Sequence, residues 1–209
     1  MRDADVASRI LTHAAQGARL RETFFAANAE AIADAAISMA VCLAKGGKIL
    51  LCGNGGSAAD AQHLAGELVN RFLINRPPLA AVALTTDSSV MTAIGNDFSF
   101  DLIFARQVQA LGNPGDILIG ISTSGNSENV VRALENARAN SLITIGFSGK
   151  NGGRMGQYCD TLLAVDAETT PLIQEIHIAL GHLLCELTDY FLFENTLALT
   201  PYIKNDDEQ

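Results

Sequence analysis

Short apolar runs alternate along most of the chain with stretches whose apolar positions recur at helical spacing. The runs are KILLCG (48–53), LAAVAL (79–84), DILIGIS (116–122), LITIGFS (142–148) and TLLAV (161–165). Each is apolar nearly throughout rather than alternating, which is how a strand buried on both faces reads. Between them the spacing predicts helices over 57–71, 87–95, 101–111 and 127–139, a short helical turn after 148, and a long helix from about 170 to 193. Strands alternating with helices in this way predict an α/β fold, an open parallel sheet with helices on both faces. Ahead of the sheet, Phe24, Phe25, Ile32, Ala36, Met39, Cys42 and Leu43 recur at helical spacing. Residues 1–45 are therefore expected to form a helical N-terminal arm of two helices, ended by Gly46-Gly47. The polar stretch PYIKNDDEQ (201–209) is expected to be a loose tail. No repeat or low-complexity segment divides the chain, so 1–209 reads as one domain.

Composition narrows the function classes. A chain of 209 residues with 48% apolar and 18% charged content is long enough to bury a core and lacks the signature of disorder. The formal net charge of −9, with no clustered basic stripe, argues against a nucleic-acid surface. No unbroken apolar run approaches the roughly eighteen residues that span a bilayer, and the first residues lack the apolar core of a secretory signal. A cytoplasmic protein with neither nucleic acid nor membrane as partner is the expectation. Cys42, Cys52, Cys159 and Cys185 show no CxxC spacing, which argues against a zinc finger, a thioredoxin-like motif or a disulfide framework. Their apolar neighbours make them core residues.

Chemistry enters at two loops that follow strands, where open α/β sheets hold ligands. The second, Ser122-Thr123-Ser124-Gly125-Asn126-Ser127, packs four hydroxyls into six residues before a helix. Hydroxyls with free backbone N–H groups at a helix start make a phosphate cradle, here without lysine or arginine. Ser127 taken alone reads as an ordinary helix cap. The first loop, Gly53-Asn54-Gly55-Gly56-Ser57, fits the dinucleotide pattern G-x-G-x-x-G/A. The acidic residue that should end the next strand comes too late, at Asp87, so that reading is weak. The Walker pattern GxxxxGK[ST] is absent. Ser57-Ala-Ala-Asp60 reads as a capping box of the looser S-x-x-D form.

The helix after the first loop carries His63 and Glu67 at i and i+4, on one face. In the long apolar run near the C-terminus, Gln174 and His182 lie about 80° apart on the helical wheel, with His177 nearby. Polar groups among Ile, Leu and Ala need partners. With His63 and Glu67 they form an N/O ligand set suited to zinc or a similar divalent ion, although mutual hydrogen bonding would satisfy them equally well. His13, in the arm, reads as a surface residue.

Four separated motifs, CGNGGSAADAQHLAGEL, AIGNDF, GDILIGISTSGNSENVV and IQEIHIALGH, together resemble the phosphoheptose isomerases of the sugar-isomerase (SIS) domain superfamily. The resemblance covers nearly the whole chain. It implies a flavodoxin-like subunit of a homotetramer with active sites at subunit interfaces, acting on sedoheptulose 7-phosphate. It also implies that Ser122, Thr123, Ser124 and Ser127 hold the sugar phosphate. Asn54, Gly55, Gly56, Asn96 and Asp97 would line the rest of the pocket. His63, Glu67, Gln174 and His182 match the zinc ligands, and Glu67 and His182 match the acid–base pair. A related bacterial tetramer that binds the replication initiator, and is not an isomerase, is similar around RPPLAAVALTTDSSVMTAI (76–94). That relative lacks the catalytic carboxylate, whereas Glu67 is present here, so a non-catalytic adaptor is the second expectation.

Overall fold

The computed structural model describes residues 4–203. Five parallel strands, β1 (Ile49–Gly53), β2 (Ala81–Ala83), β3 (Ile117–Ser122), β4 (Ile143–Gly149) and β5 (Thr161–Val165), lie in the order β2-β1-β3-β4-β5. This is the flavodoxin-like order, whose direction of progression reverses between β1 and β3. The register sets Leu51 beside Ala83 and Ile119, and Ser122 beside Ser148.

Side chains alternate across the sheet and separate two cores. Ile49, Leu51, Ile117, Ile119, Ile145 and Phe147 face one layer. It consists of α1 (Ala4–Ala44), α2 (Gly56–Val69) and α6 (Thr170–Asp189), which supply Met39, Leu64, Leu68, Ile176 and Leu180. Leu50, Cys52 and Leu118 face the other layer. There α4 (Ala105–Leu111) and α5 (Glu128–Ala139) contribute Val108, Val130 and Leu134. The central strands β1, β3 and β4 are buried on both sides because both layers are covered there, whereas the edge strand β2 leaves Val82 exposed and β5 is half-buried. The remaining helices are α3 (Ser88–Asp97) and the short α7 (Thr200–Ile203).

Several boundaries differ from the sequence expectation. The arm is one continuous helix of 41 residues, not two. Gly17 does not break it, because its missing side chain leaves room for α6: a Cβ there would lie 3.2 Å from Glu175 Oε2. The helix expected over 101–111 is split into a 3-10 turn at Phe100–Leu102 and α4. Ser99 Oγ accepts from Asp101 N and starts that turn separately. The last long helix is α-helical to Asp189 and finishes in a π-helical turn, Tyr190–Glu194. Of the expected tail, 201–203 belong to α7 and 204–209 lie outside the described residues.

Two helical segments, Ala4–Ala44 and Thr170–Glu194, are long and apolar enough on average to cross a membrane, although neither holds an unbroken apolar run. Their apolar faces meet the sheet and one another instead: Phe24, Ile32, Met39, Ile173, Ile176, Leu180 and Leu184 belong to one core.

Candidate active site

The two glycine- and serine-rich loops leave the carboxyl ends of β1 and β3, on either side of the switch point. The first is shaped by close backbone approach. A Cβ on Gly53 would lie 2.7 Å from the Ser57 carbonyl oxygen, and Gly55 sits at φ 57°, ψ −120°, a conformation left to glycine. Gly55 is the N-cap of α2, and no side chain caps the helix. The expected capping box is therefore not formed. The helix starts at Gly56, which puts Ser57 inside its first turn, and Asp60 Oδ2 is buried without a hydrogen-bond partner among the described residues. Burial pushes the Asp60 carboxyl up, with His63 pulling it partly back.

The second loop turns at Gly125, with φ 65° and the carbonyl oxygen of Gly152 only 2.2 Å from where a Cβ would stand. The amide N–H of Met155 donates to the Gly125 carbonyl at 3.0 Å and fixes the turn against the chain after β4. Ser122 Oγ lies 2.9 Å from Ser127 Oγ and 3.4 Å from Ser124 Oγ. Ser127 occupies the N-cap position of α5, yet its hydroxyl makes no cap hydrogen bond; it turns back into the loop. Three hydroxyls thus converge at the start of α5, whose first amide N–H groups have no partner within the helix. Thr123 is half-buried at the same turn, its carbonyl against Gly149.

The first loop is joined to the helix that follows the second. Asn54 Nδ2 donates to Asn129 Oδ1 at 2.8 Å, and Asn129 Nδ2 donates to Asn54 Oδ1 at 2.8 Å. Asn129 is buried and was not legible in the sequence, since a polar residue in the first turn of a helix is ordinarily solvated.

Helices α2 and α6 run side by side in the same direction. Gln174 meets Gly56, Gly181 meets Leu64, and a Cβ on Gly56 would lie 2.4 Å from Gln174 Nε2. At Gly181 a Cβ would lie 2.5 Å from the Leu64 methyls, so glycine lets the two helices close up. That approach brings His63 Nε2 to 2.7 Å from His182 Nε2, with Glu67 Oε1 3.4 Å from His63 Nε2. One ligand atom from each of the three residues lies within 4.8 Å of the others. Phe72 stacks on His182, with ring centroids 5.6 Å apart at 23°, and holds the imidazole edge toward the cluster. Nothing in the sequence marked Phe72 for this role. His63 follows Gly56 by about two turns and so shares its face. The amide of Gln174 thus lies at the N-terminal end of the helix pair, about two turns before the cluster.

The donor set suits a divalent ion. Two imidazole nitrogens and one carboxylate, partly exposed and convergent, make a donor set of the kind that can hold a divalent ion with a position left open. Two Nε2 atoms 2.7 Å apart can share one proton between them, or both can offer lone pairs to an ion.

Other candidates sit elsewhere. Asn96 and Asp97 are exposed at the end of α3 and hydrogen-bond to each other at 2.8 Å. Among the described residues no hydrogen bond ties them to the two loops. His177 is fully buried, its Nε2 bonded to the Ser148 carbonyl at 3.0 Å, and burial drives its pKa down to about 4. It stays a neutral core histidine. His13 is exposed as expected, with its Nε2 3.0 Å from Glu175 Oε1. The cysteines are free, and burial pushes Cys52, Cys159 and Cys185 up to about 12.

The frame and the loop pair at its switch point define a SIS-domain protein, and residues 12–149 match the SIS domain family. The phosphoheptose isomerase of Nitratidesulfovibrio vulgaris strain Miyazaki F is 62% identical over 93% of this chain and 94% of its own. That of Desulfovibrio desulfuricans is 64% identical, covering 94% of each. The solved phosphoheptose isomerase from Neisseria gonorrhoeae superposes with a TM-score of 0.83 at 45% identity, covering 88% of this chain and 98% of that one. The chain belongs to the phosphoheptose isomerase family. It is an isomerase, and the adaptor alternative is not favoured.

Proposed function

We propose that the chain converts sedoheptulose 7-phosphate to D-glycero-D-manno-heptose 7-phosphate through an enediol. The observation that carries this reading is the convergence of His63 and Glu67 of α2 with His182, where the loop that opens α2 is bonded through Asn54 to Asn129 in the first turn of α5. The phosphate is taken by the hydroxyls of Ser122, Thr123, Ser124 and Ser127 and by the first N–H groups of α5, a neutral cradle that needs no cation. Anchoring at the phosphate orients the distant carbonyl end, which converts binding into effective concentration. Asn54, Gly55, Gly56, Asn96, Asp97 and Gln174 line the sugar.

The Glu67 carboxylate takes the proton from C1, and the C–H electron pair becomes the C1=C2 double bond as the carbonyl oxygen on C2 takes a proton from His182. The enediol then gives the O1 proton back to His182, the O1–H electron pair forms the C1=O bond, and the C1=C2 pair takes up the proton that Glu67 returns to C2. Zinc, by family resemblance, would be held by His63, Glu67, His182 and Gln174, where it would polarise the carbonyl. A carboxylate has two oxygens, enough for a ligand and a base. We place the protein in the cytoplasm, as a homotetramer with sites at subunit interfaces, supplying heptose for a surface polysaccharide.

The test is NMR of sedoheptulose 7-phosphate in deuterated water with zinc-loaded protein. Wild type should form the aldoheptose phosphate with solvent deuterium at C2. Glu67→Gln should lower kcat by roughly 10²–10⁴ at little cost in melting temperature. A folded, zinc-loaded wild type that leaves the ketose unchanged would sink the reading.

A further inference from the structure

At the C-terminal end of α2 and α6, next to the His63–Glu67–His182 cluster, lies a second, largely buried polar assembly that the chemistry above does not touch. Arg76 comes from the connection between α2 and β2, and its side chain is 1% exposed. Its Nε donates to Asp189 Oδ1 at 2.6 Å. One Nη donates to the carbonyls of Leu68 at 2.8 Å and Pro77 at 3.1 Å, and the other to the carbonyl of Glu67 at 2.9 Å. Asp189, 4% exposed at the side chain, is the last residue of α6. A single guanidinium therefore clasps the C-terminal ends of the two helices that carry the cluster.

Three features relate the clasp to the cluster. Glu67 is gripped through its own carbonyl oxygen, so its backbone moves if Arg76 moves. His182 and Asp189 are seven residues apart, about two turns, and share one face of α6. The clasp and the Gly181–Leu64 approach thus bracket the cluster and fix both the spacing and the rotation of α2 against α6. A cation is favoured at helix C-termini, and neither helix has a basic residue in its own last turn.

Stability alone is a weak reason to keep such a pair. Burying two charges costs about as much as their attraction returns, and apolar pairs of similar volume often serve as well. Asp189 Oδ2 and the neighbouring Thr188 hydroxyl are also buried without partners among the described residues, a further cost. What an apolar pair lacks is direction. A planar fork that reads two consecutive carbonyls and a carboxylate at once fixes orientation as a lysine ammonium does not.

We propose that Arg76 and Asp189 are positioning residues that set the distance and angle of Glu67 relative to His63 and His182. The proposal deepens the isomerase reading and rests on it for the role of the cluster. The test compares wild type, Arg76→Lys and the double variant Arg76→Met/Asp189→Leu. Each is measured for melting temperature, for zinc affinity of the metal-stripped protein, and for kcat and KM with sedoheptulose 7-phosphate. Loss of groups that orient metal ligands typically costs about 10–100-fold in affinity or activity. The double variant is expected to melt within a few degrees of wild type, bind zinc roughly 10–100-fold more weakly and lose a similar factor in kcat, with KM within about twofold. Arg76→Lys should fall between the two.

A double variant that folds with wild-type zinc affinity and kcat overturns the proposal. So does parallel loss of melting temperature, kcat and KM, which would make the pair a structural brace. Should the double variant not fold, Arg76→Lys decides on the same readouts. If wild type binds zinc without isomerising the ketose, the isomerase reading falls while the zinc titration still judges the clasp. A wild type that does neither overturns both.

Discussion

At the scale of single residues, the site depends on side chains whose roles are set by what surrounds them rather than by their type. The two histidines His177 and His182 lie five residues apart on α6 and do opposite things. His182 is half-buried in the metal-ligand cluster, while His177 is sealed against β4. Burial drives the His177 pKa down to about 4, from an ordinary value near 6.5. The unfolded chain therefore binds more protons than the native one between those values, and stability falls as pH drops through that window. The loss by pH 4 is on the order of 3 kcal/mol. Chemical denaturation from pH 7 to pH 4 should show this slope in wild type and a flatter one in His177→Gln; identical slopes would show that another group carries it. At this scale the sequence was partly legible. Periodicity put Gln174 and His182 on one stripe, and spacing put His63 with Glu67. It could not tell which histidine is core and which is ligand, because that depends on which strand or helix faces each. Asn129 and Phe72 stayed invisible for the same reason.

At the scale of elements, the short apolar runs alternating with helical stretches announced the sheet, and the runs of β1, β3 and β4 are covered on both faces while β2 leaves Val82 exposed. The misjudged elements are those decided by close contacts. The arm expected as two helices is one, with Gly17 marking the approach of α6, and the capping box at Ser57 gives way to a glycine turn that no side chain caps. Ser127 stands at a cap position with its hydroxyl aimed at Ser122. The serine loop owes its shape to Gly125, which has a positive φ and the carbonyl of Gly152 against it. Gly125→Ala would have to shift the turn away from the chain after β4, parting the three hydroxyls. Steady-state kinetics should show KM raised at least about tenfold with a smaller change in kcat, because the phosphate supplies anchoring rather than proton transfer. An unchanged KM would remove the loop from phosphate binding.

At the scale of the whole molecule, the sheet order places both loops at one end of β1 and β3, so a ligand site at that switch point follows from topology alone. Alternation in the sequence predicted the α/β class, but the strand order is not written in any local pattern; it came from likeness to a known family. The long arm extends this argument beyond one chain. Val6, Ile10 and Leu11 on its first turns are 51%, 63% and 70% exposed. The proposed homotetramer would cover them, and Ile10→Glu with Leu11→Glu should lower the mass seen by light scattering toward that of a single chain. A wild type that is already a single chain at micromolar concentration would refute the tetramer. The reciprocal amide pair of Asn54 and Asn129 has a consequence of its own. It joins the loop after β1 to the first turn of α5 with two neutral hydrogen bonds, so neither acid nor salt loosens it as they would loosen an ion pair. The joint keeps its shape across conditions that change the charge on histidines and carboxylates. A pH profile of turnover is therefore expected to report the proposed proton transfers and not a loosening of this joint.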